Sequence, residues 1–211
     1  VASTKTFVAS LTILNLLAIF LGKSRGTLDT AKTQELVDGL TKLPRLMGDL
    51  LADSSPYQQV AQEYAKFDNF LFLGRGMNAP IAYEGALKLK EISYIHAEGY
   101  PAGEMKHGPI ALVDNAMAIV ALAPKDSLYD KVANNIKEVK ARDGRVLSVL
   151  TEGDTQLVAD VDHALYIPDA PEHILPLLIT VPLQMLAYHI ALLRDRDVDQ
   201  PRNLAKSVTV E

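Results

Sequence analysis

The chain has 211 residues, enough for one domain or two small ones. Apolar residues make up 48% and charged residues 22%, so it can bury a core and still dissolve. A formal charge of −5 offers no basic field to nucleic acid or an anionic membrane surface, although a few local groups would suffice for a phosphorylated small molecule. With no cysteine, disulfides, thiolate metal sites and cysteine nucleophiles are excluded together, which fits a cytoplasmic protein.

Residues 7–21 (FVASLTILNLLAIFL) are strongly apolar and follow Lys5. The run is shorter than the roughly 20 residues that span a bilayer. It contains Ser10, Thr12 and Asn15, and no small-x-small cleavage site follows it. It reads as a buried helix rather than a signal peptide. The chain opens on Val1, with Ser3-Thr4 as a helix cap. The expectation is a fragment whose first helix belongs to a unit upstream.

From 27 to 65 the apolar positions Leu28, Leu36, Val37, Leu40, Leu43, Leu46, Met47 and Leu50 recur at mostly helical intervals, and Ser54-Ser55-Pro56 reads as a helix start. Residues 70–73 form a short apolar strand closed by Gly74-Arg75-Gly76, with a helix from 80 to about 96. Further strands are predicted at 117–123, 146–150 and 164–167, with helices at 128–141 and about 171–193. Continuous apolar strands separated by helices predict an α/β fold: an αβα sandwich on a parallel, flavodoxin-like sheet. Residues 195–211 have Pro201, several charges and no apolar stripe, a composition that favours a frayed terminus.

On the helix after the first strand, Ile81, Ala82, Gly85, Leu89 and Ile92 share the face that should meet the sheet. Glu84, Lys88 and Glu91 form the neighbouring stripe. Such spacing ordinarily makes surface ion pairs of about 0.3–0.5 kcal/mol each. The sharper reading is a carboxylate beside an ammonium, available as a general base. The helix leaves the carboxyl end of a strand, where open α/β sheets place ligands, and that favours the sharper reading. The Gly99–Pro109 stretch (GYPAGEMKHGP) frames Glu104, Lys106 and His107 with glycine and proline, as loops that position catalytic groups do. His173 and His189, in the last helix, and His163, beside a strand, read as structural, and His96 as a helix-end residue. No histidine pair has metal-ligand spacing. Gly74-Arg75-Gly76 lacks the rest of a dinucleotide fingerprint, since no second strand ending in an acidic residue is read after it. Pro124-Lys125-Asp126-Ser127-Leu128, with one Ser, one Asp and no Gly, is a poor phosphate cradle.

Residues 84–98 (EGALKLKEISYIHAE) are similar to the signature of the sugar isomerase (SIS) domain, and Gly103-Glu104-Met105-Lys106-His107-Gly108-Pro109 follows at that family's spacing. The ending at 197–211 (DVDQPRNLAKSVTVE) and the opening Val1-Ala2-Ser3-Thr4-Lys5 resemble the glucosamine-6-phosphate synthases within that family. The resemblance covers essentially the whole chain. It implies a protein with a glutaminase domain and two SIS subdomains that turns fructose 6-phosphate and glutamine into glucosamine 6-phosphate and glutamate without metal or cofactor. On that pattern residues 1–24 are the last helix of a truncated first subdomain, 25–194 the second subdomain, and 195–211 an active-site tail. The sugar-phosphate loop would lie outside this chain. The resemblance makes Glu91 the base that moves a proton between C1 and C2, and puts Lys88 in the same proton-transfer network. It makes His107 a ring-opening histidine donated to a neighbouring subunit's site in a homodimer, and Lys206 a Schiff-base lysine. Val1, Ser3 and Ala205 become sugar contacts, and Arg202 a supporting tail residue. The alternative is a non-catalytic SIS module that senses a sugar phosphate. Such a regulator would carry a basic helix-turn-helix domain and could dispense with Glu91, His107 and Lys206 as a set.

Overall fold

The computed structural model describes residues 2–204. Three helices come first: α1 (Thr4–Ser24), α2 (Thr30–Ala52) and α3 (Ser55–Tyr64). The Asp29 carboxylate caps α2 by accepting the Lys32 N–H at 2.7 Å, and Pro56 opens α3 at a position where no backbone donor is needed. The sheet follows as β1 (Asn69–Gly74), α4 (Asn78–Ser93), β2 (His96–Pro101), β3 (Met117–Ala123), α5 (Tyr129–Lys140), β4 (Arg145–Thr151), β5 (His163–Ile167) and α6 (Leu175–Leu193). The strands are parallel, in the order β2-β1-β3-β4-β5.

The apolar runs form strands because both faces of the sheet are covered. Phe70, Phe72, Val120, Leu147 and Val149 enter one core with α3, α4 and α6. Leu71, Leu73, Ile119, Val146 and Leu150 alternate to the other face, where Val132, Ile136 and Val139 of α5 meet them. This is the predicted αβα sandwich.

Four expectations need correction. The strand β2 is not among those predicted: HAEGYP has no apolar run, because an edge strand pairs on one side only, here with β1 from Asn69↔His96 to Gly74↔Pro101. A strand therefore does follow the Gly74-Arg75-Gly76 turn, though it ends on Tyr100-Pro101 rather than on an acidic residue. His96 begins this strand, with Nδ1 3.1 Å from Asn69 Oδ1, and is not a helix-end residue.

The second correction is α1, which is helical but mostly not buried. Ile19 is buried and Phe7, Val8 and Leu11 lean on the core, whereas Ile13 and Phe20 are 64% and 65% exposed. The helix has 21 residues, so the shortness of its apolar run no longer argues against a membrane span; by length and composition it could cross one, as could the largely buried 172–193 segment. Ser3 occupies the N-cap position of α1 but makes no side-chain cap.

Third, His173 precedes α6 in a short 3-10 turn, its Nε2 3.0 Å from the Leu36 carbonyl. Fourth, the segment after α6 is packed through Leu204. Pro201 is buried, and the Asp197 carboxylate accepts the N–H groups of Asp199 and Gln200 at 2.9 and 3.0 Å.

Candidate active site

The helix α4 lies flush on the sheet because Gly85 has no side chain: an added Cβ would meet Leu183 Cδ1 at 2.8 Å and the Phe72 ring at 3.0 Å. Ile81, Ala82, Leu89 and Ile92 are buried on this face, as their spacing predicts. On the next stripe Lys88 is buried and Glu84 and Glu91 are half-buried, so they are not the exposed surface pairs that such spacing ordinarily makes. The side chains of Lys88, Glu84 and Glu91 are 4%, 10% and 20% exposed.

Lys88 Nζ donates to Glu91 Oε2 at 2.6 Å. It stands 3.5 Å from Glu84 Oε1, an ion-pair distance too long for a good hydrogen bond, and that oxygen is sealed from solvent with no hydrogen-bond partner among the described residues. Burial pushes the Glu84 carboxyl above its ordinary value, with Lys88 opposing the shift and Glu91 adding to it. One ammonium thus serves two carboxylates. Such an underbonded buried group is unusual for a purely structural pair.

The location differs from expectation. Because β1 and β2 are parallel, α4 runs back toward the amino ends of the strands. Glu91 is thirteen residues beyond Asn78, about 20 Å along the axis at roughly 1.5 Å per residue. The cluster is therefore far from the carboxyl-end crevice that its sequence position suggests. At that crevice polar groups pair with one another: Asn78 donates to Asp126 Oδ2 at 2.8 Å, the Lys125 N–H to Thr151 Oγ1 at 2.8 Å, and Ser127 to Glu172 Oε1 at 2.9 Å. Asp126 also accepts the Leu128 N–H at 2.8 Å, so the donors a phosphate would need are already engaged.

Lys88 instead lines a cavity of about 630 Å³ walled by residues 2–6, by Ile92, by Gln184 and Tyr188 of α6, and by Val198 and Asp199. Ser3 is among the walls, as its nomination requires. Glu91 opens onto a second cavity of about 430 Å³ shared with Tyr94, Arg202, Asn203 and Leu204. The Lys88–Glu91 ion pair bridges the two. Lys5, Asp199, Gln184, Tyr188 and Tyr94 are not nominated by the sequence. Lys5, Tyr94 and Asp199 sit inside the segments that carry the resemblance, whereas Gln184 and Tyr188 face the site only through tertiary packing.

His107 lies elsewhere. It ends a 3-10 turn, Ala102–His107, with its side chain 76% exposed and Nε2 3.9 Å from Glu104 Oε2. Its cavity, about 450 Å³, shares no lining residue with either of the others. Neighbouring Lys106 pairs with Glu138 at 2.6 Å. Val1, Ala205 and Lys206 lie outside the described residues. Among those that are described, no three His, Asp or Glu side chains group as metal ligands.

Residues 63–194, more than half of the chain, match the family model described as the SIS domain. The chain belongs to the SIS-domain family. As an SIS protein it is 53% identical over all 211 residues to an isomerizing glutamine–fructose-6-phosphate aminotransferase of Thermus thermophilus. It is 50% identical over the same length to that of Bacteroides thetaiotaomicron. It spans about a third of those relatives, 35% and 34% of their lengths. The C-terminal domain of glucosamine-fructose-6-phosphate aminotransferase from Francisella tularensis superposes with a TM-score of 0.88 at 38% identity, over 94% of this chain and 56% of that one.

Proposed function

We propose that this SIS chain is the isomerase portion of a glucosamine-6-phosphate synthase and performs the ketose-to-aldose step in making glucosamine 6-phosphate from fructose 6-phosphate and glutamine-derived ammonia. The observation that carries the reading is the Glu84–Lys88–Glu91 cluster, a buried ammonium between two half-buried carboxylates, open on two sides to cavities. Aldose–ketose isomerisation needs one base that reaches two adjacent carbons. Glu91 is held on a rigid helix, with Lys88 fixing Oε2 and leaving Oε1 to take a proton at C1 and return it at C2. The buried Lys88 ammonium lies close enough to stabilise the enediolate-like charge that develops between the two transfers. Ser3 contributes a hydroxyl to the Lys88 cavity and would contact the sugar with Val1 and Ala205. Lys206 would form a Schiff base with the open-chain ketose, and Arg202 would support the tail.

His107 is exposed and in a cavity of its own, which supports a role in the site of a neighbouring copy: it would open the sugar ring there in a homodimer. The engaged donors around Asp126 support a division in which the sugar-phosphate cradle belongs to a preceding subdomain, with residues 1–24 as that subdomain's last helix, 25–194 as a second subdomain and 195–211 as the active-site tail. On this reading the protein works in the cytoplasm on a sugar phosphate and needs neither metal nor redox cofactor.

The test uses the full-length protein that contains this chain. Glu91→Gln should lower the isomerisation rate by about a thousandfold, within the range for loss of a general base, while fructose 6-phosphate binding measured by calorimetry changes little. An unchanged rate would remove Glu91 as the base.

A further inference from the structure

Helices that end in a left-handed residue usually end on Gly or Asn, which tolerate that backbone. The residue closing α4 is Tyr94, at φ 62° and ψ 19°, and its N–H bonds the Lys90 carbonyl at 3.2 Å. The backbone would be better served by a smaller residue, so the tyrosine is there for its side chain.

That side chain is engaged by residues about a hundred positions away. The Arg202 N–H donates to the Tyr94 hydroxyl at 2.7 Å, and the Arg202 guanidinium lies 4.2 Å from the ring centroid. Arg196 lies 5.6 Å from the same centroid. Between the two arginines the Asp197 carboxylate fixes a turn, and buried Pro201 anchors the chain just before Arg202. One aromatic ring therefore gathers two cations from one segment, with a planar guanidinium at stacking distance. On the other side, Tyr94 is three residues after Glu91 and lines the same cavity as Glu91, Arg202, Asn203 and Leu204.

We propose that Tyr94 is a positioning residue, a clamp that holds the carboxy-terminal segment against the end of α4. It thereby sets where the chain that continues into Ala205 and Lys206 starts out relative to Glu91. This rests on the active-site reading above. The clamp acts through the tail and takes no part in proton transfer.

The experiment compares Tyr94→Gly and Tyr94→Phe with Glu91→Gln in the full-length protein. It measures the thermal midpoint, native-state trypsin cleavage after Arg196 and Arg202, and kcat and KM for fructose 6-phosphate isomerisation. Glycine suits the left-handed backbone, so the midpoint should hold or rise while cleavage after Arg202 quickens about tenfold. The kcat should fall about 10- to 100-fold with a smaller change in KM, as misplacement of a catalytic segment by an ångström or so would produce. Tyr94→Phe keeps the stacking surface and should restore most of the protection and the rate. Unchanged cleavage in Tyr94→Gly, or faster cleavage with unchanged kcat, overturns the clamp. If Tyr94→Gly lowers the midpoint, Tyr94→Asn, which also tolerates this backbone, decides by the same readouts. Full activity of Glu91→Gln would sink the active-site reading instead, and the cleavage rates would still judge whether the tail is held.

Discussion

Two charged clusters in this SIS chain are built from carboxylates and cations in opposite stoichiometry. On α4 one ammonium, Lys88, serves two carboxylates, Glu84 and Glu91. Where β4 begins, one carboxylate, Asp162, serves two cations: Lys140 Nζ at 2.7 Å and Arg145 Nη1 at 3.0 Å. Asp162 also accepts the Val146 N–H at 2.8 Å, so both its oxygens are engaged. The carboxyls respond in opposite directions. Glu84 is pushed up by burial, whereas at Asp162 burial is outweighed by the Lys140 and Val146 hydrogen bonds and the carboxyl is held below its ordinary value. A saturated anion braces the join of α5, β4 and β5. On the proposed reading, the underbonded carboxylates of α4 are where a substrate completes the set.

Removing the centre of each cluster should separate the two roles. Lys88→Met leaves two half-buried carboxylates on one helix stripe without their shared cation. Isomerisation should fall to background, and stability should drop by about 3 kcal/mol, as for a broken buried pair. Chemical denaturation alongside a sugar-isomerisation assay would read both. Asp162→Asn should cost about 1–3 kcal/mol through weakened bonds to Val146, Lys140 and Arg145, and leave turnover per folded molecule unchanged. A loss of turnover from Asp162→Asn at full stability would dissolve the contrast.

The pH dependence sharpens the contrast. Glu84 has a folded-state value above its ordinary 4.5, so the native state holds the extra proton and stability falls as pH rises from 4.5 through the folded value. Asp162 has a folded-state value below 3.8. Its contribution is complete above pH 3.8 and is lost as pH falls through the folded value. Glu84→Gln should therefore gain on the parent as pH rises above 4.5, whereas Asp162→Asn should be closest to the parent at the acid end. Denaturation midpoints between pH 3 and 7 would check both slopes, and parallel slopes would refute the assignment.

What is legible in the sequence follows from the same physics. Phe70–Leu73 and Met117–Ala123 announce themselves because strands buried on both faces must be apolar throughout. His96–Pro101 does not, because an edge strand need not be. The spacing of Glu84, Lys88 and Glu91 is plain, but spacing is identical for a surface ladder and a buried triad. Only the tertiary surroundings of that stripe, with residues 2–6, Gln184, Tyr188 and the tail around the cavities it lines, decide between them. The roles of Tyr94 and Asp162 escape notice for another reason: their partners lie 108 residues away in one case and on two separate elements, α5 and β4, in the other. The apolar content of α1 reads correctly as helix, yet composition carries no information about which of its residues face the rest of this chain.

The smallest expected effect concerns a third arrangement, a buried polar group with neither saturation nor a charged partner. His189 on α6 is 9% exposed, its Nε2 is enclosed with no hydrogen-bond partner among the described residues, and the Tyr188 ring packs edge-on at 5.1 Å. Burial lowers its value below the ordinary 6.5. The unfolded chain therefore binds the proton more readily, so stability is complete above pH 6.5 and is lost as pH falls through the folded value. His189→Leu removes both the unsatisfied nitrogen and the titration. The change should be under about 1.5 kcal/mol at pH 7.5, with a variant that gains on the parent steadily below pH 6.5. If the two proteins instead lost stability in parallel between pH 6.5 and 5, His189 would have to be finding a partner on protonation. Underbonding would then no longer separate the cluster on α4, which the proposed function makes catalytic, from a histidine to which it gives no role.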